Sequence, residues 1–393
     1  MMATLLCWSF VRHPFFQILI HYIYCLTFVR GFPPLIRHNS YHDSFSLQLL
    51  KPTTSGVASA YDLLSQHDVI RTPLLESPLL SKELGTRVLV KAECLQTTGS
   101  FKYRGALHRI LRLPPQDSAK GVVAFSSGNF GMALAAAATS VGIPCCIVSP
   151  HDAPPVKLDR IRGFGAKLVL STATGSQNRE VVASSLAEEI STTRGMMLLH
   201  PFEDTDVIHG QGTCGMELIE QAEEMLGSKD GLGTIVVPCG GGGLTAGTCL
   251  AVEEKRCSTS VITIEPKGFD DHAKSFLENR RMTLAELYPS SSIVEGRSEY
   301  CDALMAGAPG IATWEINQPR LANALASTGD TSVARAMKVA FEYYRLVLEP
   351  SGALGLAALL DGQVDLSSDK AVAVIASGGN TDLEVFQKLM ARL

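Results

Sequence analysis

The ten cysteines form no Cys-x-x-Cys pair and follow no regular spacing, so the chain shows no disulfide framework of the small secreted type. Several sit inside apolar runs, such as Cys145 and Cys146 in "GIPCCIVSP" and Cys239 at the end of "TIVVPC", and read as buried structural thiols in a reducing compartment. Charged residues make up only 19% and the formal net charge is −5, so there is no basic field to attract nucleic acid. Internal repeats and low-complexity linkers are missing. So is any acidic residue before Asp43, although Arg12, Arg30 and Arg37 lie there among four histidines. The apolar stretch from Phe15 to Val29 contains Gln17 and His21 and falls short of the roughly 20 residues a spanning helix needs, which excludes a membrane partner. Residues 1–50 therefore read as an N-terminal extension. Its acid-poor, arginine-bearing character suits a mitochondrial or plastid transit segment, and a misassigned start codon would leave a cytoplasmic protein.

What remains is ample for two domains with real cores: 393 residues, 46% of them hydrophobic. From residue 51 onward, strand-like runs alternate with helix-like stretches. "RVLVKAE" (87–93), "GVVAFS" (121–126), "PCCIVSP", "AKLVLS", "MMLLH", "TIVVPC" (234–239), "SVITIEP" and "KAVAVIAS" read as strands. Helices are expected after Gly105, in "FGMALAAAATSVG", around Val156–Arg162, over Asn178–Thr193 and after the glycine run near 240. Short continuous Val/Ile runs are the pattern of strands buried on both faces. Their alternation with helices predicts an α/β fold of open parallel sheets. Residues 121–198 make a small domain, and 51–120 with 199–393 a large one.

Four motifs carry chemistry. In "TTGSFKYRGA" (97–106), Lys102 lies between Phe101 and Tyr103, where an apolar setting lowers the amine pKa and favours imine formation; a solvated surface lysine is the bland alternative. In "FSSGNFGMA" (125–133), Ser126, Ser127 and Asn129 stand at a strand-to-helix turn, suited to a carboxylate or simply to helix capping. "VPCGGGGLTAG" (237–247) places four glycines between a strand and a helix. Such a run is costly to order, and the return is a loop whose N–H groups wrap a phosphate. It lacks the Gly-Lys-[Ser/Thr] ending of a nucleotide loop and the spacing of a dinucleotide fingerprint, so a single phosphate is the better fit. In "AVAVIASGGNTD" (371–382), Ser377 ends a buried strand and can meet a heterocycle nitrogen, although a plain turn accounts for it equally.

Taken together and in this order, "SFKYRGA", "SSGN", "GGGGL" and "SGGN" resemble the fold-type II pyridoxal-5′-phosphate (PLP) enzymes, and among them the serine/threonine dehydratases and serine racemases. The resemblance spans about residues 60–390 and extends to "HPFEDTDVIHGQGTCGMEL" (200–218) and "EPSGALGLAAL" (349–359). It implies the architecture of the tryptophan synthase beta subunit, a homodimer and a small amino-acid substrate. Lys102 would carry the cofactor as a Schiff base and move the α-proton, with Phe101 packed near the ring. Asn129 would bond the ring's 3′-oxygen, and the Ser126–Asn129 loop would hold the substrate carboxylate. Gly240, Gly241, Gly242, Gly243 and Leu244 would bind the phosphate through their N–H groups, and Ser377 would meet the pyridine nitrogen. Ser127 stands where racemases keep a second base, which permits racemisation beside dehydration. Glu265, the Phe269 carbonyl and Asp271 in "IEPKGFDD" resemble a Mg²⁺ or Ca²⁺ site; solvated acids after a strand are the plainer account.

Some positions depart from these relatives. Phe130 stands where histidine is frequent. Thr97, Met132 and Phe164 occupy nucleotide-effector positions with less polarity, which argues against nucleotide activation. The segment "VEGRSEYCDALMAGAPGIATWEI" (294–316) differs in length, and the few residues after Asn380 leave no room for a feedback domain. The expected activity is ammonia release from L-serine or L-threonine, with possible rivals in 3-hydroxyaspartate dehydration, β-replacement of the cysteine synthase kind, and non-catalytic PLP binding.

Overall fold

The Val/Ile runs become ten strands: β1 (Leu74–Glu76), β2 (Val88–Lys91), β3 (Val122–Phe125), β4 (Cys145–Pro150), β5 (Lys167–Ser171), β6 (Met197–Leu198), β7 (Leu232–Pro238), β8 (Ser260–Glu265), β9 (Leu321–Ala326) and β10 (Ala371–Ile375). The computed structural model describes residues 51–174, 178–289 and 294–393. The targeting role read for residues 1–50 lies outside the described residues.

Two sheets result, ordered β1-β2-β10-β7-β8-β9 and β5-β4-β3-β6. All neighbours run parallel except β1, which pairs antiparallel with β2 at the edge of the larger sheet. Strands β2, β4 and β10 are buried along their whole length, because helices cover both faces of a parallel sheet. The helices Thr205–Leu226 and Gly243–Lys255 cover one face of the larger sheet, and the helices Asp330–Val339 and Leu354–Leu360 cover the other. On the smaller sheet, the helices Lys102–Leu111 and Asn129–Ser140 pack on one face and Arg179–Arg194 on the other. Two strands have no counterpart in the sequence reading. β9 ("LANALA") has no β-branched residue and exposes Ala322 and Asn323 at a sheet edge, and β1 has three residues.

The helix Lys102–Leu111 is moored by charge as well as by packing. Arg104, fully buried, donates to Glu93 at 2.8 and 2.9 Å and to Glu217 at 2.9 and 2.7 Å. Lys91 joins Glu217, Gln221 and the Thr72 carbonyl at 2.7–2.8 Å. Eight cysteines among the described residues are free thiols, six of them buried. No helix among the described residues is long and apolar enough to cross a membrane.

Candidate active site

Lys102 opens its helix immediately after a loop that is tied to the end of β10 by a bridge between Ser100 and Gly378. The Phe101 N–H donates to the Ser377 carbonyl at 3.1 Å, which sets the lysine segment beside the strand-end serine. Lys102 Nζ lies 5.0 Å from the Phe101 ring centroid and donates to the Pro201 carbonyl at 3.3 Å. Burial strips water from this ammonium and pulls its pKa from 10.5 down to about 8, with the Cys239 thiol acting in the opposite sense. A free amine is thus available near neutral pH.

At the end of β3, Ser126 Oγ accepts from the N–H groups of Gly128 and Gly131 at 3.2 and 3.1 Å, which shapes the turn into the helix Asn129–Ser140. Ser127 beside it is half-buried, and its hydroxyl enters no hydrogen bond among the described residues. Asn129 is held at both ends. Its Nδ2 donates to Glu349 Oε1 at 2.7 Å, and its Oδ1 accepts from Asn380 Nδ2 at 2.8 Å. Asn380 Nδ2 also donates to the Thr98 carbonyl at 2.8 Å, so "SSGN", "SGGN" and the lysine loop form one connected layer.

The glycine run turns from β7 into the helix Gly243–Lys255, which has no side-chain cap, so its leading N–H groups are left for another acceptor. Gly242 has φ +92°, and a Cβ there would stand 2.6 Å from His272 Nε2. On Gly241 a Cβ would stand 2.5 Å from the Phe202 ring. Glycine is required at both, and the outcome is a bare peptide surface with uncapped N–H groups, which fits a phosphate. Lys102, Ser126, Ser127, Asn129, the glycine run and Ser377 all follow the carboxyl ends of parallel strands, where ligands of open α/β sheets collect.

Glu265 and Asp271 are buried as well. Glu265 accepts from the N–H groups of His272 and Ala273 at 3.0 and 2.8 Å, but burial still pushes its pKa well above the ordinary range. Burial, then the Glu265 charge, raises Asp271 to about 8, and Asp271 Oδ2 has no hydrogen-bond partner among the described residues. Phe269 lies between them in sequence, its ring stacked 4.1 Å from the Arg297 guanidinium. Sequence reading missed Cys239 and His272 here: both have a ligating atom within 4.8 Å of the other and of Glu265. It also missed Glu349, which lies in "EPSGALGLAAL" without an assigned role. Burial, then the Asp302 charge, raises Glu349 to about 7, with the Asn129 hydrogen bond acting against them.

The family profile for "Pyridoxal-phosphate dependent enzyme" matches residues 66–378. A serine racemase of Arabidopsis thaliana is 37% identical over 332 residues, covering 84% of this chain and 93% of its own. A beta-hydroxyaspartate dehydratase of Paracoccus denitrificans is 34% identical over 333 residues, 85% of this chain and 98% of its own. The structure of maize serine racemase superposes with a TM-score of 0.75 at 32% identity, over 87% of this chain and 98% of that one. The chain belongs to the pyridoxal-phosphate dependent enzyme family.

Proposed function

We propose that the chain releases ammonia from L-serine or L-threonine to give a 2-oxo acid, and that Ser127 adds racemisation of serine. The observation that carries this is the half-buried Lys102 amine, lowered to about 8, among an uncapped glycine cradle, a serine-bearing turn and the end of β10. The N–H groups from Gly240 to Leu244 would hold the PLP phosphate, Asn129 the 3′-oxygen and Ser377 the pyridine nitrogen. When bound, PLP supplies an electron sink that acidifies the substrate's α-hydrogen and labilises its β-hydroxyl. Lys102 takes the α-proton, a task suited to an amine whose pKa lies near the working pH. The free N–H groups at the start of the helix Asn129–Ser140, with Ser126, orient the substrate carboxylate. Ser127 presents a hydroxyl with no hydrogen-bond partner among the described residues, able to return a proton to the α-carbon from the other face. Ser377 is neutral, unlike a carboxylate, and does not compel the ring nitrogen to stay protonated, which favours β-elimination over transamination.

Within the same reading, a Mg²⁺ or Ca²⁺ ion is held by Glu265, Asp271 and the Phe269 carbonyl. The unpartnered Asp271 oxygen and the uncompensated burial of both acids fit a hard cation. The assembly is a homodimer, which sedimentation of the purified protein checks.

The deciding experiment incubates the enzyme with L-serine, L-threonine and 3-hydroxyaspartate in D₂O, following 2-oxo acid and D-enantiomer together by chiral chromatography. Oxo acid from serine or threonine is expected, along with deuterated D-serine that disappears in Ser127→Ala. Turnover of 3-hydroxyaspartate alone would move the substrate, and absence of any turnover would overturn the reading.

A further inference from the structure

Glu203 belongs to none of the four motifs, yet its carboxylate reaches across the fold to the N–H groups of Ile311 and Ala312, at 2.7 and 3.1 Å. The segment it grips in turn grips the glycine run. Thr313 Oγ1 donates to the Gly241 carbonyl at 2.6 Å, and the Gly310 N–H donates to the same oxygen at 3.1 Å. Asn317 Nδ2 reaches the Gly242 carbonyl at 3.4 Å. In a planar trans peptide the N–H points away from its carbonyl. Drawing the carbonyls of Gly241 and Gly242 onto residues 310–317 therefore turns the N–H groups of Gly242 and Gly243 the opposite way, out of that contact. Those are two of the N–H groups assigned above to the phosphate.

The neighbours of Glu203 strengthen the case. Phe202 lays its ring against Gly241, and the Pro201 carbonyl accepts from Lys102 Nζ. His200 stacks edge-on with Phe202 at 4.5 Å. One stretch, residues 200–203, thus touches the reactive amine, the glycine run and the segment that aims its peptides.

We propose that Glu203 is a positioning residue: through residues 310–317 it holds the Gly242 and Gly243 N–H groups in the orientation that binds the cofactor phosphate. This rests on the PLP assignment. The competing account is a plain loop tie that stabilises the fold and leaves the phosphate unaffected. Wild type, Glu203→Ala and Glu203→Gln are compared by equilibrium dialysis of PLP, by the ³¹P resonance of the holoenzyme, and by thermal midpoint with and without PLP. Loss of two charge-assisted hydrogen bonds is expected to weaken PLP binding about tenfold or more in Glu203→Ala. The phosphorus resonance should move toward that of free PLP, and kcat at saturating PLP should fall less than PLP affinity. Glu203→Gln, keeping one acceptor, should lose a few-fold. Wild-type affinity and resonance in Glu203→Ala, even with a lowered midpoint, would overturn the proposal. Should that variant not fold, unchanged affinity in Glu203→Gln would overturn it. Failure of the wild-type arm to bind PLP would instead sink the cofactor assignment.

Discussion

Two clusters of ionisable groups are buried in this fold, and they are balanced in opposite ways. Around Arg104, two cations meet two carboxylates, Glu93 and Glu217, and every contact is a hydrogen bond of 2.7–2.9 Å. Burial alone would raise Glu93, but the Arg104 guanidinium, together with Lys91 and the Thr72 hydroxyl, outweighs it and holds the carboxyl below its usual range. Around Asp271, among the described residues, no lysine or arginine makes such a contact. Glu265 and Asp271 share a buried site with His272, whose Nδ1 stands 3.4 Å from one and 3.7 Å from the other, and both acids are raised. A closed cluster fastens helices together, whereas an open one of the same burial invites a ligand. The Arg104 group ties the lysine-bearing helix to Thr205–Leu226, and the Asp271 group is the one proposed above to take a divalent ion.

Breaking the closed cluster should have the largest consequence. Arg104→Met leaves Glu93 and Glu217 buried with only Lys91 to answer them. Removing one partner of a buried pair costs about 3–5 kcal/mol, so denaturant unfolding should show a loss of that order, or the variant should fail to accumulate. A loss below about 1 kcal/mol would mean that the cluster is solvated after all, and the contrast would vanish.

The open cluster should respond to a cation instead. A ligand at a hundred times its Kd stabilises by about 2.7 kcal/mol, so chelation should lower the thermal midpoint and added Mg²⁺ or Ca²⁺ should restore it. Asp271→Asn removes a ligand charge and should abolish that response while relieving the apo-protein of a raised acid. A wild-type midpoint indifferent to chelator and to both ions would leave the two clusters alike in function.

Much of this was legible beforehand because it is local in sequence. Val and Ile runs betray doubly buried strands, four consecutive glycines have few uses, and Lys102 lies between two aromatic residues. Strand β9 was hidden, since alanine and asparagine carry no strand signal and its place at the sheet edge is tertiary. Glu349 and Glu203 were hidden for another reason. Their partners, Asn129 and Ile311, lie 220 and 108 residues away along the chain. An acidic residue in a sequence gives no sign of which distant peptide or amide will fold against it. Cys239 and His272 likewise meet only because β7 and β8 are sheet neighbours.

Glu349 sharpens the contrast, being a further buried carboxyl with one amide partner and, among the described residues, no counter-cation in hydrogen-bond contact. Burial, then Asp302, lifts its pKa to about 7, with the Asn129 amide and the charges of Lys157 and Arg160 pulling it down. In the unfolded chain a glutamate titrates near 4.5. Between these values the folded protein binds the extra proton, so stability should decline as pH rises through the window from about 4.5 to 7, and stay level below and above it. One proton changes stability by at most about 1.4 kcal/mol per pH unit, so between pH 6 and 7 the expected contribution is about 1 kcal/mol. Glu349→Gln keeps an oxygen for the Asn129 amide but cannot ionise, and its denaturant midpoint should lose that decline. Subtracting the variant's profile from the wild-type profile isolates this group from every other titration. A difference curve flat from pH 5 to 8 would place Glu349 with Glu93, an acid whose surroundings already answer its charge.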